Sequence, residues 1–347
     1  MGRERVLILG GGFCGSILSK KLDQKEDIET ILIDENGYFE YYPSLPKILT
    51  DLDHISNIQL KLDSFLRDTD VIEQEVKEIT PDHVKTTEDR FDFDYLVICL
   101  GADYPVPLEN DEDVFTLNDV ENSYKLGRKI QRSESILVVG GGLIGIEAAS
   151  ELAVNTDKEI NLVHPHERLI ERNPESASRY AERFLIERDV RLIFSDRLVE
   201  NKDGFHTENG ENILADTAIW CGGLGFGRSL YKGFEENVFF KNGSLKVDEY
   251  LRLKGYDRIF VGGDITSLQE EKTGHNADRH ASLIYRNILK HRNGEELSSY
   301  RKSESPLVIS LGRKNGILTH RSSSIVGPFP AFLKYTLEKA GIERLRF

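Results

Sequence analysis

Cysteine is scarce: three in 347 residues, Cys14, Cys99 and Cys221, far apart and never as C-x-x-C. Without a close pair neither a redox-active dithiol nor a zinc site is signalled, and no metal is expected; the three read as small buried hydrophobes. Long apolar runs are also missing, so no segment is expected to span a bilayer. Positive charge is in deficit, 45 Lys and Arg against 59 Asp and Glu for a net −14, which argues against nucleic acid as a partner. No leader precedes the first apolar run at Val6, and position 6 lacks the Ser or Thr of a myristoylation signal, so a cytoplasmic location is expected. What remains, 39% hydrophobic and 30% charged, is the composition of a soluble globular chain of about two to three domains.

Glycine is where the information lies. Val6-Leu7-Ile8-Leu9 reads as a strand buried on both faces, and it breaks into G-x-G-x-x-G at Gly10, Gly12 and Gly15. The three glycines suit a tight turn, close approach of backbone to a pyrophosphate, and close packing of helix on strand. The next helix offers its N-terminal amides and positive dipole end to that pyrophosphate. A second apolar strand, Thr30–Ile33, ends at Asp34, placed to accept hydrogen bonds from a ribose. The whole unit then recurs: Ile136–Val139 leads into Gly140, Gly142 and Gly145, and Ile160–Val163 ends at His164. Two such units in one chain imply two dinucleotides held against each other.

Between them, Tyr38, Phe39, Tyr41, Tyr42, Pro43 and Pro46 crowd a loop that can lie against a flat ring system or cover the sheet edge. Val71–Thr80, Val84–Thr86 and Phe91–Leu100 read as strands, and residues 117–131 as a helix. Further on, 174–188 and 276–292 read as helices. Residues 198–200, 205–207 and 213–214 form a meander with turns at Asp203-Gly204 and Asn209-Gly210. Thr217–Trp220 and Ile259–Val261 return to the sheets, the latter followed by Gly262-Gly263-Asp264. Leu307–Leu311 and Ile317–Arg321 bracket Asn315-Gly316, a hairpin signal.

With these motifs on the page, nearly the whole chain resembles the two-dinucleotide flavoprotein reductases, FAD enzymes with an NAD(P)H domain inserted in the FAD domain. The resemblance implies an α/β fold of two Rossmann-like domains plus a short C-terminal segment. The boundaries expected are 1–104 with 246–295 for FAD, 105–245 for NAD(P)H, and 296–347 for a hairpin and amphipathic helix. It further implies that Gly10, Gly12, Gly15, Asp34, Gly101, Gly263 and Asp264 hold FAD, and that Gly140, Gly142 and Gly145 hold the nicotinamide nucleotide. Within the family, Val139–Glu147, Trp220-Cys221-Gly222-Gly223 and Ile309–Gly316 look most like type II NADH:quinone oxidoreductases and the apoptosis-inducing factor 2-like quinone reductases. The resemblance puts Glu147 near flavin and nicotinamide as a proton relay, although a carboxylate there also stabilises a helix N-terminus. It puts Arg279 and His280 at the acceptor, where type II enzymes usually carry a Gln-Gln pair.

The expected function is transfer of two electrons from NAD(P)H through FAD to a quinone-like acceptor. Delivery to ferredoxin or rubredoxin, or redox signalling through a slow NAD(P)H reaction, stay open as alternatives. His164, His166 and Arg168 replace the acid that selects NADH, so NADPH is expected to be used at least comparably unless the imidazoles are mere surface groups. From Pro328 onward, Phe329, Phe332, Leu333, Leu337 and Ala340 recur at helical spacing, with Ile342, Leu345 and Phe347 beyond. Lys334, Lys339, Arg344 and Arg346 outnumber Glu338 and Glu343 there. Such an end either meets the inner face of the cell membrane, where a lipid-soluble quinone resides, or covers the FAD domain or the partner of a homodimer.

Overall fold

The computed structural model describes residues 3–108, 112–201, 204–302 and 305–346. Asp203 and Phe347, expected in a turn and at the end of the apolar stripe, lie outside them. Two five-stranded parallel sheets carry the fold. In the first, the strand order in space is Ile259–Val261, Tyr95–Ile98, Glu4–Leu9, Ile28–Asp34, Asp70–Glu73. The second repeats that plan with Val114–Thr116, Thr217–Trp220, Ser135–Val139, Glu159–His164 and Arg191–Phe194. In each, the strand that opens the unit lies centrally and its helix crosses over to a parallel neighbour, as a doubly wound unit requires. Val6 to Leu9 and Ile136 to Val138 are wholly or almost wholly buried because helices and loops cover both faces of each sheet.

The chain returns to the first unit before residue 245. Tyr231, Val238, Phe239 and Leu245 belong to the same buried cluster as Leu7, Leu9, Leu96 and Val261. The expected boundary at 245 therefore falls later than the point where packing changes sides. Two expected strands split. Residues 71–80 form Asp70–Glu73 in the large sheet and Val76–Ile79 in a separate antiparallel sheet with His83–Thr86 and Arg90–Asp92. The break is polar: the Gln74 amide donates to the Asp34 carbonyl, closing the strand pair. Residues 91–100 split likewise at Asp94, whose carboxylate accepts from the Arg5 amide at 2.8 Å. Leu198–Asn201, Phe205–Thr207 and Asn212–Ile213 pair as the expected meander.

The C-terminal module is a three-stranded antiparallel sheet, Leu307–Leu311, Asn315–His320 and Ser323–Gly327, followed by the helix Pro328–Arg346. Asn315-Gly316 is not its turn. Leu311 pairs with Asn315 and Ser310 with Gly316, so residues 312–314 make the turn, Gly312 at φ +65°. A Cβ at Gly316 would lie 2.7 Å from the Ile309 carbonyl oxygen and 3.0 Å from the Ala331 nitrogen, so this glycine serves helix-on-sheet contact.

Each fingerprint turn is equally tight. A Cβ on Gly15 would sit 1.9 Å from the Gly10 carbonyl oxygen, and one on Gly145 1.8 Å from that of Gly140. Gly12, by contrast, has nothing nearer than a Tyr42 ring carbon at 4.0 Å. Gly15→Ala is therefore expected to lower unfolding free energy by about 1–3 kcal/mol, whereas Gly12→Ala changes it by roughly 0.5 kcal/mol or less. Urea denaturation of both variants checks this, and equal losses would contradict the packing account.

Candidate functional site

Both fingerprint helices begin without a cap. Phe13–Leu22 and Leu143–Asn155 have glycine N-caps, no side-chain cap bond and no acid in the first turn. Two other long helices are capped: Asp119 accepts from the Asn122 amide and Thr273 from the Asn276 amide. An uncapped helix of this length leaves its first amides and its dipole to an anion. Gly12 and Gly142 keep the space in front of those amides open. Gly10 at φ +95° and Gly140 at φ +111° turn the chain into position.

Each turn is then pinned through its middle glycine. The Gly11 amide donates to Asp34 Oδ2 at 2.7 Å, while Asn36 and Gly37 donate to Oδ1. A carboxylate has about four acceptor positions, so Asp34 keeps one for a ribose hydroxyl. In the second unit the Gly141 amide donates to His164 Nδ1 at 2.9 Å. That bond places the ring proton on Nε2, and burial pushes the imidazole pKa down, keeping the ring neutral. Arg168 spends three of its five N–H donors inside the loop: it donates to the Asn173 carbonyl, to Ser178 Oγ and to the Glu171 carbonyl. That leaves Nε and one Nη2 hydrogen for the 2′-phosphate expected of it.

A third turn completes the crevice. Gly263, at φ +76°, donates its amide to His280 Nδ1 at 3.1 Å, and His280 Nε2 donates to Glu270 at 2.9 Å. Tyr300 donates to the same carboxylate. Burial raises the Glu270 carboxyl, but the bonds from His280 and Tyr300 outweigh it and hold it below the usual range. His280, expected at the substrate, is 2% exposed and serves to aim the turn. Arg279 is likewise bound, to Tyr300 and the Arg301 carbonyl. Asp264 alone in this group carries no hydrogen bond among the described residues. Burial raises its carboxyl, against the opposing pull of Lys272 and His280. A half-buried carboxylate without a protein partner, beside an open glycine turn, fits the hydroxyl-rich ribityl chain of FAD. Gly101, at φ +71° with open space beyond it, follows the neighbouring strand Tyr95–Ile98. The aromatic loop divides: Phe39 is buried in the core, whereas Tyr42 stays exposed over Gly12.

Glu147, on the second fingerprint helix, is buried beneath the C-terminal module. Its Oε1 accepts from the Ser310 amide at 2.7 Å and from the Lys334 ammonium. Oε2 has no protein partner among the described residues. Sequence reading counted Lys334 and Glu338 among surface charges and missed both partnerships. Glu338 is buried, taking Ser44 Oγ and Lys47 Nζ. Only spacing over more than 180 residues separates Glu147 from Lys334, and no local pattern encodes that.

The sequence profile described as pyridine nucleotide-disulphide oxidoreductase matches residues 4–281. Apoptosis-inducing factor homolog B of Dictyostelium discoideum is 28% identical, over 94% of this chain and 92% of that protein. Type II NADH:quinone oxidoreductase of Staphylococcus aureus is 26% identical, over 99% and 96%. NDH2 of Plasmodium falciparum, solved in complex with NADH, superposes with a TM-score of 0.89 over 99% of this chain and 97% of that one; at 15% identity this is a likeness of fold.

Asp264→Ala is expected to yield largely colourless protein with its fold retained, since the carboxylate supports no other residue. Flavin absorbance per mole of purified protein checks this; a fully yellow variant would contradict the assignment.

Proposed function

The chain belongs to the pyridine nucleotide-disulphide oxidoreductase family, and from that premise we propose that it passes two electrons from a nicotinamide nucleotide through FAD to a quinone. It is an oxidoreductase that uses FAD and NAD(P)H. The acceptor is brought over from relatives named as quinone oxidoreductases, and the buried Glu147–Lys334 pair supports it. The first unit takes FAD, its pyrophosphate at the amides after Gly12, its ribose at Asp34 and its ribityl chain at Asp264. The second takes the nicotinamide nucleotide at Gly142. FAD supplies the redox chemistry when bound.

The chain's own contribution is orientation and protons. Quinone reduction consumes protons at the carbonyl oxygens. Lys334 Nζ holds a proton in a bond to Glu147, and Glu147 fixes where that proton sits. Positioned acids and bases of this kind contribute a factor of roughly 10²–10⁴. Glu147→Gln is expected to leave flavin reduction by NADH within about twofold and to slow flavin reoxidation by a soluble quinone roughly a hundredfold. Stopped-flow measurement of the two half-reactions checks this. The variant leaves Lys334 buried without its counter-charge, so Glu147→Gln with Lys334→Met is measured beside it. Unchanged reoxidation in both would reduce the pair to a structural tie.

Acceptor access is proposed to come through the C-terminal helix. Its buried face is Pro330, Ala331, Glu338, Ile342 and Leu345, which leaves most of the expected apolar stripe outside. Phe329 is 57%, Phe332 65% and Leu337 50% exposed, beside exposed Ile325 and Val326 of the last strand. Among the described residues no helix is long and apolar enough to cross a membrane. Lys334 and Arg344 are committed to Glu147 and Asp278, so apolar contact supplies more of any attachment than charge does. Phe329→Ser with Phe332→Ser is expected to cut co-sedimentation with lipid vesicles and slow reduction of long-chain quinones, leaving water-soluble quinones unaffected. An intact protein that ignores vesicles, and elutes as a dimer by light scattering, would assign this face to a second copy instead.

A further inference from the structure

In the first unit one acid has two duties. Asp34 pins the Gly11 amide and keeps an acceptor position at the end of the second strand, where a dinucleotide presents its adenosine ribose. In the second unit these duties are divided. His164 takes over the pin on Gly141 but cannot offer negative charge.

The missing charge is supplied from seven residues further on. Glu171 Oε2 lies 3.4 Å from His164 Nε2, and Oε1 lies 3.7 Å from His166 Nε2. The two rings meet edge to face with centroids 5.2 Å apart. Arg168 builds the loop that does this, because its guanidinium gathers the carbonyls of Glu171 and Asn173 and the hydroxyl of Ser178. Glu171 is thereby folded back against the strand end, half-exposed. His164 is 5% exposed, and its Nε2, which carries the ring proton, has no aligned acceptor among the described residues. A buried donor without a partner, beside a half-exposed carboxylate, marks a place where a polar ligand completes the hydrogen bonding.

We propose that Glu171 reads the adenosine ribose of the nicotinamide nucleotide, accepting its 2′- and 3′-hydroxyls and repelling a 2′-phosphate, so that NADH is preferred to NADPH. This rests on the second unit being the nicotinamide site, and it reverses the preference expected from His164 and Arg168 in the sequence. The histidines orient the carboxylate, and Arg168 shapes its loop.

The test is calorimetric binding of redox-inert tetrahydro-NADH and tetrahydro-NADPH to the FAD-loaded protein. The wild-type protein is expected to bind the first at least about tenfold more tightly. Glu171→Gln is expected to shrink that ratio to about threefold or less, chiefly by improving the phosphorylated form, and Glu171→Arg to invert it. The backbone carbonyl that Arg168 holds survives both changes, and unaltered melting curves would show it. Equal wild-type affinities, or a ratio unmoved by Glu171→Gln, would overturn the proposal. Binding of neither analogue would overturn the nicotinamide assignment and this inference with it. No electron acceptor is present, so any of these failures leaves the quinone reading to be judged by turnover alone.

Discussion

Two helix N-termini must stay without protein caps, and most of the site is arranged to make that tolerable. Free amides at a helix start are costly to bury, yet here they have to face a crevice. The chain removes acids from both first turns and keeps Gly12 and Gly142 clear of neighbours. It then secures the adjoining backbone by a different route. Gly11, Gly141 and Gly263 each donate one amide to one side chain, Asp34, His164 and His280, on a neighbouring strand or helix. Three turns in the two units are held by the same device, a backbone amide given to one side chain.

A carboxylate and an imidazole are not equivalent in that role. The carboxylate accepts several bonds at once and keeps its charge. An imidazole accepts at one nitrogen only while neutral, and its second nitrogen then becomes a donor. Each histidine pin therefore calls for a carboxylate behind it. Glu270 stands 2.9 Å behind His280, and Glu171 stands 3.4 Å behind His164 in a looser contact. The first pair is a closed hydrogen bond and the second a looser contact, with the carboxylate half-exposed.

The doubly wound sheets, both fingerprints and the Gly-Asp turn were legible in the sequence because each is a short, local pattern. Strand ends were less so. Val71–Thr80 and Phe91–Leu100 looked continuous, since the polar breaks at Gln74 and Asp94 gain their meaning from partners at Asp34 and Arg5. Asn315-Gly316 carried a sound turn signal that the closeness of the C-terminal helix overrode. The site's second layer was illegible for the same reason. Nothing local tells that Lys334 meets Glu147, that Glu338 meets Lys47, or that Arg168 ties together its own loop.

The C-terminal helix touches both dinucleotide units through buried ionic contacts, Lys334 with Glu147 of the second and Glu338 with Lys47 of the first. Lys20, at its far end, donates to the carbonyls of Arg344 and Leu345. In mechanical terms the three bodies form a triangle, and a triangle has no free hinge. The two lobes also meet directly, Thr50 donating to Glu151 and the Val120 amide to Glu40; with this third member in place, the distance between their clefts becomes a dimension of the frame. The alignment of one carrier with the other is then set by the folded chain, and releasing one ionic contact would loosen one corner of the frame without freeing a hinge.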